Sequence, residues 1–224
     1  MNDILIAIQA VAKGLGTLLS EVVFVGGAVT IFYVDSDYAE EPRPTVDIDC
    51  IIELTGKVRY AELEEKLRGL GFINHREVIC RWLYNQIVVD VMPTDEKILG
   101  FSNRWYKDGL SNPILANLPN GTEIKLLSLD YFVCAKLEAH ASRGATDPRQ
   151  SKDLEDIFYL LDGTSNFQDK IKLGSKETRA YIAESFKELS ARPDYEEILA
   201  ALIPLGPPGR GDNIRTLIES KEYL

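Results

Sequence analysis

Apolar and polar positions follow two periods along this chain, strand-like stretches dominating the first half and helical ones the second. The opening MNDILIAIQAVAKGLGTLL interrupts its apolar positions with Gln9 and Lys13, which predicts a packed amphipathic helix. Glu21-Val22-Val23-Phe24-Val25 then reads as a short strand that ends at Gly26-Gly27, with a helix starting near Ala28. Residues 35–45, DSDYAEEPRPT, form a polar loop with two prolines, and Val46 to Leu54 is a β-branched run. Tyr60, Leu63, Leu67 and Leu70 give residues 58–70 a helical period that Gly71 stops. Two further strands are predicted, Val78 to Tyr84 and Ile87 to Met92, joined at hairpin spacing by Asn85-Gln86. Residues 93–121 read as irregular, punctuated by Asn and Gly.

From Ser128 the pattern is helical, with helices predicted near 128–143, 150–162, 176–191, 194–202 and 213–222. Strands first and helices second predict an α/β (α+β) fold, with a mixed-sheet domain over 1–125 and a helical domain over 126–224. IPLGPPGRGD reads as a linker before the last helix, and its Arg-Gly-Asp triplet as a chance occurrence.

Composition narrows the function classes. An apolar share of 45% with 9% aromatics is that of a globular chain. No run of 18 apolar residues is evident, so no membrane span is expected, and the N-terminus lacks the basic cluster of a signal peptide. Cys50, Cys80 and Cys134 lie far apart in apolar runs, which predicts packing in a reducing cytoplasm rather than metal binding. With His75 and His140 alone, a histidine metal site is not expected. A net charge of −10 argues against a broad, non-specific nucleic-acid surface, though not against a local basic patch.

Val46-Asp47-Ile48-Asp49-Cys50 carries the chemistry. Strand alternation turns Val46, Ile48, Cys50 and Ile52 to the core and Asp47 and Asp49 together to the other face. Two carboxylates side by side repel each other, and a divalent cation is the natural partner. In Ile87-Val88-Val89-Asp90-Val91, Asp90 is a third acid in a similar frame. The plain alternative is a half-exposed strand with solvated acids. The Gly26-Gly27 turn, between strand and helix, exposes backbone N–H groups suited to phosphate. Together these features compose a two-metal phosphoryl-transfer site.

In the later helix, Leu129, Phe132, Val133, Lys136, His140 and Arg143 share a stripe. Lys136 on that face needs a partner, such as a nucleotide phosphate. In the next helix Asp153 borders the apolar face, while Asp156 is expected to point more nearly away.

Gly26-Gly27-Ala28, Arg43-Pro44-Thr45-Val46-Asp47-Ile48-Asp49 and Val89-Asp90-Val91 together resemble the DNA polymerase β-type nucleotidyltransferase superfamily. The spacing, with Lys136, Arg143 and Lys152-Asp153 downstream, is similar to its AbiEii/MenT-like branch of bacterial toxins. The resemblance covers about residues 20–160. It implies that residues 1–125 are the catalytic domain and that the helical domain contributes to its cleft. Asp47, Asp49 and Asp90 would bind two Mg2+ ions, or Mn2+, and Asp90 could act as base. Lys136 and Asp153 would join them as catalytic residues, and Gly26, Gly27, Arg43, Thr45 and Lys136 would bind a nucleoside triphosphate. Relatives carry Ser or Thr near the glycine pair where this chain has Gly27 and Ala28. That hydroxyl contact is either absent or supplied by Thr30 or Thr45. The branch further implies a tRNA 3′ end as acceptor, held by Arg143, Arg149 and Lys152, and a paired antitoxin protein. Two alternatives stand beside it: transfer to a protein or a small molecule such as an antibiotic, and a nucleotide-binding module without catalysis.

Overall fold

The computed structural model describes residues 3–36, 41–45, 47–144, 147–203, 209–220, 222 and 223. Val46 and much of the proline-rich stretch, 204–208, fall outside them. The fold is mixed α and β, as the change of period predicts. The chain forms two compact units, Met1–Val29 with Pro44–Ser128 and Thr30–Arg43 with Leu129–Leu224.

The first unit is built on a seven-stranded mixed sheet. Helix α1 (Asp3–Leu15) turns Ile8, Val11, Ala12 and Leu15 inward at i, i+3, i+4 and i+7, each no more than 1% exposed. By length and composition alone Asp3–Ser20 is apolar enough to cross a membrane, contrary to the sequence expectation, but its apolar stripe is used in this core. Strand β1 (Val22–Val25) is buried at every position, as a strand covered on both faces must be. It lies between β2 (Asp47–Ile52), antiparallel, and β7 (Glu123–Leu126), parallel. Helix α2 (Lys57–Gly69) buries Tyr60, Leu63 and Leu67.

The next strands are β3 (Ile73–Asn74), β4 (Arg81–Tyr84) and β5 (Ile87–Pro93), the last parallel to β2. The β4–β5 turn holds Asn85 at φ 48° and Gln86 at φ 68°, both left-handed, as a two-residue hairpin requires. Residues 93–121 are more ordered than their sequence predicts. They contain α3 (Glu96–Leu99), α4 (Tyr106–Ser111) and β6 (Ile114–Asn117), followed by β7 (Glu123–Leu126). The sheet order is β3-β4-β5-β2-β1-β7-β6. A helix of four to six residues spans little more than one turn, too short to show a helical period, and α3 is made by its caps. The Asp95 side chain accepts from Lys97 N–H, and Gly100 closes it at φ 82°.

The second unit is helical. It contains α5 (Leu129–Ala139), which continues as a π-turn over His140–Gly144, then α6 (Lys152–Gly163), α7 (Phe167–Lys172), α8 (Lys176–Ser190), α9 (Tyr195–Leu202) and α10 (Arg210–Glu219). Phe132, Val133, Leu154, Ile157, Phe158, Ile182, Phe186 and Ile214 form its centre, each at most 1% exposed. Residues 30–36 are tied to the end of α6. Asp35 and Ser36 donate N–H bonds to Gly163 O, Thr164 Oγ1 donates to Tyr33 O, and Tyr33 packs on Phe132 with ring centroids 4.8 Å apart. The Arg-Gly-Asp triplet opens α10, and Arg210 pairs with Asp162.

Candidate metal centre

Strand pairing assembles the acidic face. Ile48 and Cys50 point into the core, 3% and 0% exposed, while Asp47 and Asp49 are half-buried on the other side. In the parallel β2–β5 pair Asp49 stands opposite Asp90, so the two acids share a face across adjacent strands. Carboxylate oxygens of Asp47, Asp49 and Asp90 lie within 4.8 Å of one another. The turn after β1 comes against them. Val25 pairs with Asp49, and Gly26 follows at φ 78°, where an added Cβ would overlap the Asp49 carboxylate. Gly26 is therefore required both for its backbone conformation and for the space that the acid occupies. The chain after it forms a six-residue 3-10 turn, Gly27–Phe32, in place of the α-helix expected near Ala28. The run AVTIF has no polar face to support a longer surface helix.

One cation stands in this cluster that the sequence reading did not pick out. Arg81 on β4 donates to both Asp90 oxygens, Nε at 2.8 Å and Nη2 at 2.7 Å, and its Nη2 lies 3.5 Å from Asp47. The hairpin register fixes this contact. Outward from the Asn85-Gln86 turn, Tyr84 meets Ile87 and Arg81 meets Asp90. That count was available from the hairpin spacing alone. Hydrogen bonding to Asp90 raises the Arg81 pKa above its ordinary value, burial opposing it. Thr45 Oγ1 donates to Asp47 Oδ1 at 3.1 Å, so its hydroxyl orients a carboxylate. Thr30 is buried, 1% exposed. Behind the acids, burial first and the charges of Asp49 and Asp90 next hold the Cys50 thiol well above its ordinary pKa, hence protonated.

The donor set suits a hard divalent cation. All three groups are carboxylates, and the Arg81 guanidinium carries a single positive charge beside them. Asp47 keeps 28% of its side chain exposed, so the cluster is not sealed inside the core.

The helical unit holds a second charged cluster. Lys136 is buried, and its Nζ lies 2.5 Å from Asp156 Oδ2 and 3.3 Å from Asp153 Oδ1. Arg43 donates to both oxygens of Asp156, at 2.7 and 3.0 Å, and Arg143 to both oxygens of Asp153, at 2.9 and 3.0 Å. The partner that Lys136 needs is thus supplied by two acids of α6. Asp156 does not point away: its side chain is 2% exposed. Leu154, Ile157, Phe158, Leu160 and Leu161 bury most of the α6 circumference, and residues three apart share a face, so Asp153 and Asp156 turn inward together. Burial raises the Asp153 pKa, but the Arg143 hydrogen bonds and the Lys136 charge outweigh it and hold it below its ordinary value.

The residues expected to bind an acceptor are engaged differently. Arg143 is committed to Asp153. Arg149 pairs with Asp147 at 2.9 Å and Glu197 at 2.7 Å. Lys152 is exposed at the start of α6. No family profile matches the chain, and no curated protein matches its sequence.

Proposed function

We propose that this chain is a divalent-metal-dependent nucleotidyltransferase that moves a nucleoside monophosphate from a nucleoside triphosphate to an acceptor hydroxyl. The observation that carries this reading is the meeting of Asp47, Asp49 and Asp90 on one sheet face, with the Gly26 turn against Asp49. The acceptor oxygen would attack the α-phosphorus, the bond to the β-phosphate would break, pyrophosphate would leave and the hydroxyl proton would be released. Divalent ions, when bound, would supply charge neutralisation to the triphosphate and lower the pKa of the acceptor hydroxyl. Asp47, Asp49 and Asp90 would hold them, and Thr45 would fix the Asp47 carboxylate. The Gly26-Gly27 backbone would receive phosphate oxygens without a side chain in the way.

A second reading of the acceptor is favoured by the ion pairs. Arg143 and Arg149 are matched with acids, and the chain carries a net charge of −10. These features support a protein hydroxyl or a small cationic molecule over tRNA, the acceptor that the family resemblance implies. Pyrophosphate release from each triphosphate with Mg2+, with and without bulk tRNA, tests both points. Release that Asp49→Asn abolishes supports the enzyme; triphosphate binding with no release under any condition would leave only a nucleotide-binding module. Stimulation by tRNA would restore RNA as the acceptor.

A further inference from the structure

We propose that Arg81 is an internal counter-ion that competes with the divalent cation for Asp90, so that the third ligand becomes available only when this ion pair opens. The inference rests on the metal-site reading above. Asp90 sits between two neighbours on one face, Asp49 across the parallel pairing and Arg81 across the antiparallel one. Both of its oxygens already accept from Arg81, at 2.8 and 2.7 Å. A carboxylate clamped through both oxygens by a planar fork has its best lone-pair directions taken, and a metal must displace at least one of those bonds. The pair is not sealed in the core. Arg81 is 32% exposed at its side chain and Asp90 11%, so the guanidinium can move toward solvent while the carboxylate stays. Arg81 lies farther from Asp47, at 3.5 Å, which leaves that acid less encumbered.

On this arrangement loading would be sequential. Asp47 and Asp49 would hold a first divalent ion, and Asp90 would serve a second only once Arg81 had turned aside. The released guanidinium stays positive beside the site. It would face any anionic oxygen brought there, so the charge moves from a carboxylate to a substrate without leaving the face.

The test is Mn2+ binding to the whole protein, read as loss of the free-ion signal in electron paramagnetic resonance, without substrate or turnover. Wild-type protein is expected to bind a tighter and a weaker ion. Arg81→Gln removes the competing charge and should tighten the weaker site by about tenfold or more, and the tighter site by less. Arg81→Lys keeps the charge without the fork and should stay nearer the wild type than Arg81→Gln does. Circular dichroism checks that both variants keep the fold. If wild-type protein binds Mn2+ and Arg81→Gln binds it equally or more weakly, Arg81 does not compete, and the proposal fails while the metal site stands. If neither binds Mn2+, or if Asp47→Asn leaves the binding unchanged, the metal-site reading fails and this proposal with it.

Discussion

Asp47 and Asp49 sit where strand alternation puts them, and their like charges face each other with Asp90. Replacing either with Asn should reduce turnover by about a hundred- to a thousandfold, since electrostatic groups at a reacting centre are each worth about 10²–10³. The melting temperature should stay level or rise slightly, because a repulsion is removed. Turnover near wild type in either variant would contradict the assignment. Titration adds a second expectation. His140 is hydrogen-bonded to Ser151 Oγ at 2.9 Å. Burial first and Arg192 next lower its pKa below 6.5, with Asp153 opposing. The folded state therefore keeps it neutral while the unfolded chain takes up a proton. Its contribution is present above about pH 6.5 and is lost as pH falls through the lower folded value. The depressed Asp153 acts in the same sense but lower, present above about pH 4 and lost on further acidification. Denaturant unfolding from pH 8 to 3 should show both losses, and His140→Gln should remove the upper one alone. The acidic triad was legible because a period of two is unambiguous in a short strand. Asp156 was misread because burial around α6 comes from tertiary packing, which a helical wheel does not contain.

The hairpin that delivers Arg81 to Asp90 turns through two left-handed residues. Asn85 tolerates that conformation, and Gln86 at φ 68° adopts it against its side chain. Gln86→Gly should stabilise the protein by about 0.5–1 kcal/mol, measured by chemical denaturation. A loss of stability would mean that Gln86 makes a contact outweighing its backbone strain. Between α5 and α6 the stakes are larger. Lys136→Met leaves Asp153 and Asp156 without their shared cation, and removing one partner of a buried pair costs about 3–5 kcal/mol. Arg143 and Arg43 remain on the two acids, which places the expected loss near about 3 kcal/mol. An unchanged denaturation midpoint would show that the two arginines alone satisfy the acids. The long helices were legible from their apolar stripes, whereas α3, α4, α7 and β6 were not. A helix of four to six residues spans little more than one turn, so a period of 3.6 has no room to develop, and β6 is exposed at three of its four positions and shows no apolar alternation.

The whole chain is acidic, its candidate reacting groups lie on the sheet unit, and its buried Lys136 cluster lies on the helical unit. Segment 30–43 belongs to the helical unit although it precedes β2, because Tyr33, Asp35 and Arg43 bond to α5, α6 and their flanks. No hydrophobic pattern reveals that allegiance. It is carried by a few side chains and by bonds to the backbone at Gly163. The central claim is that a nucleoside monophosphate leaves a triphosphate for an acceptor. It is tested most directly by following the label from α-32P and γ-32P triphosphates with Mg2+, offering tRNA, total protein and cationic small molecules as acceptors. The account predicts that α-label becomes attached to an acceptor, γ-label appears only in pyrophosphate, and chelation or Asp49→Asn stops both. Transfer of γ-label instead, or α-label transfer that persists in Asp49→Asn, would contradict it.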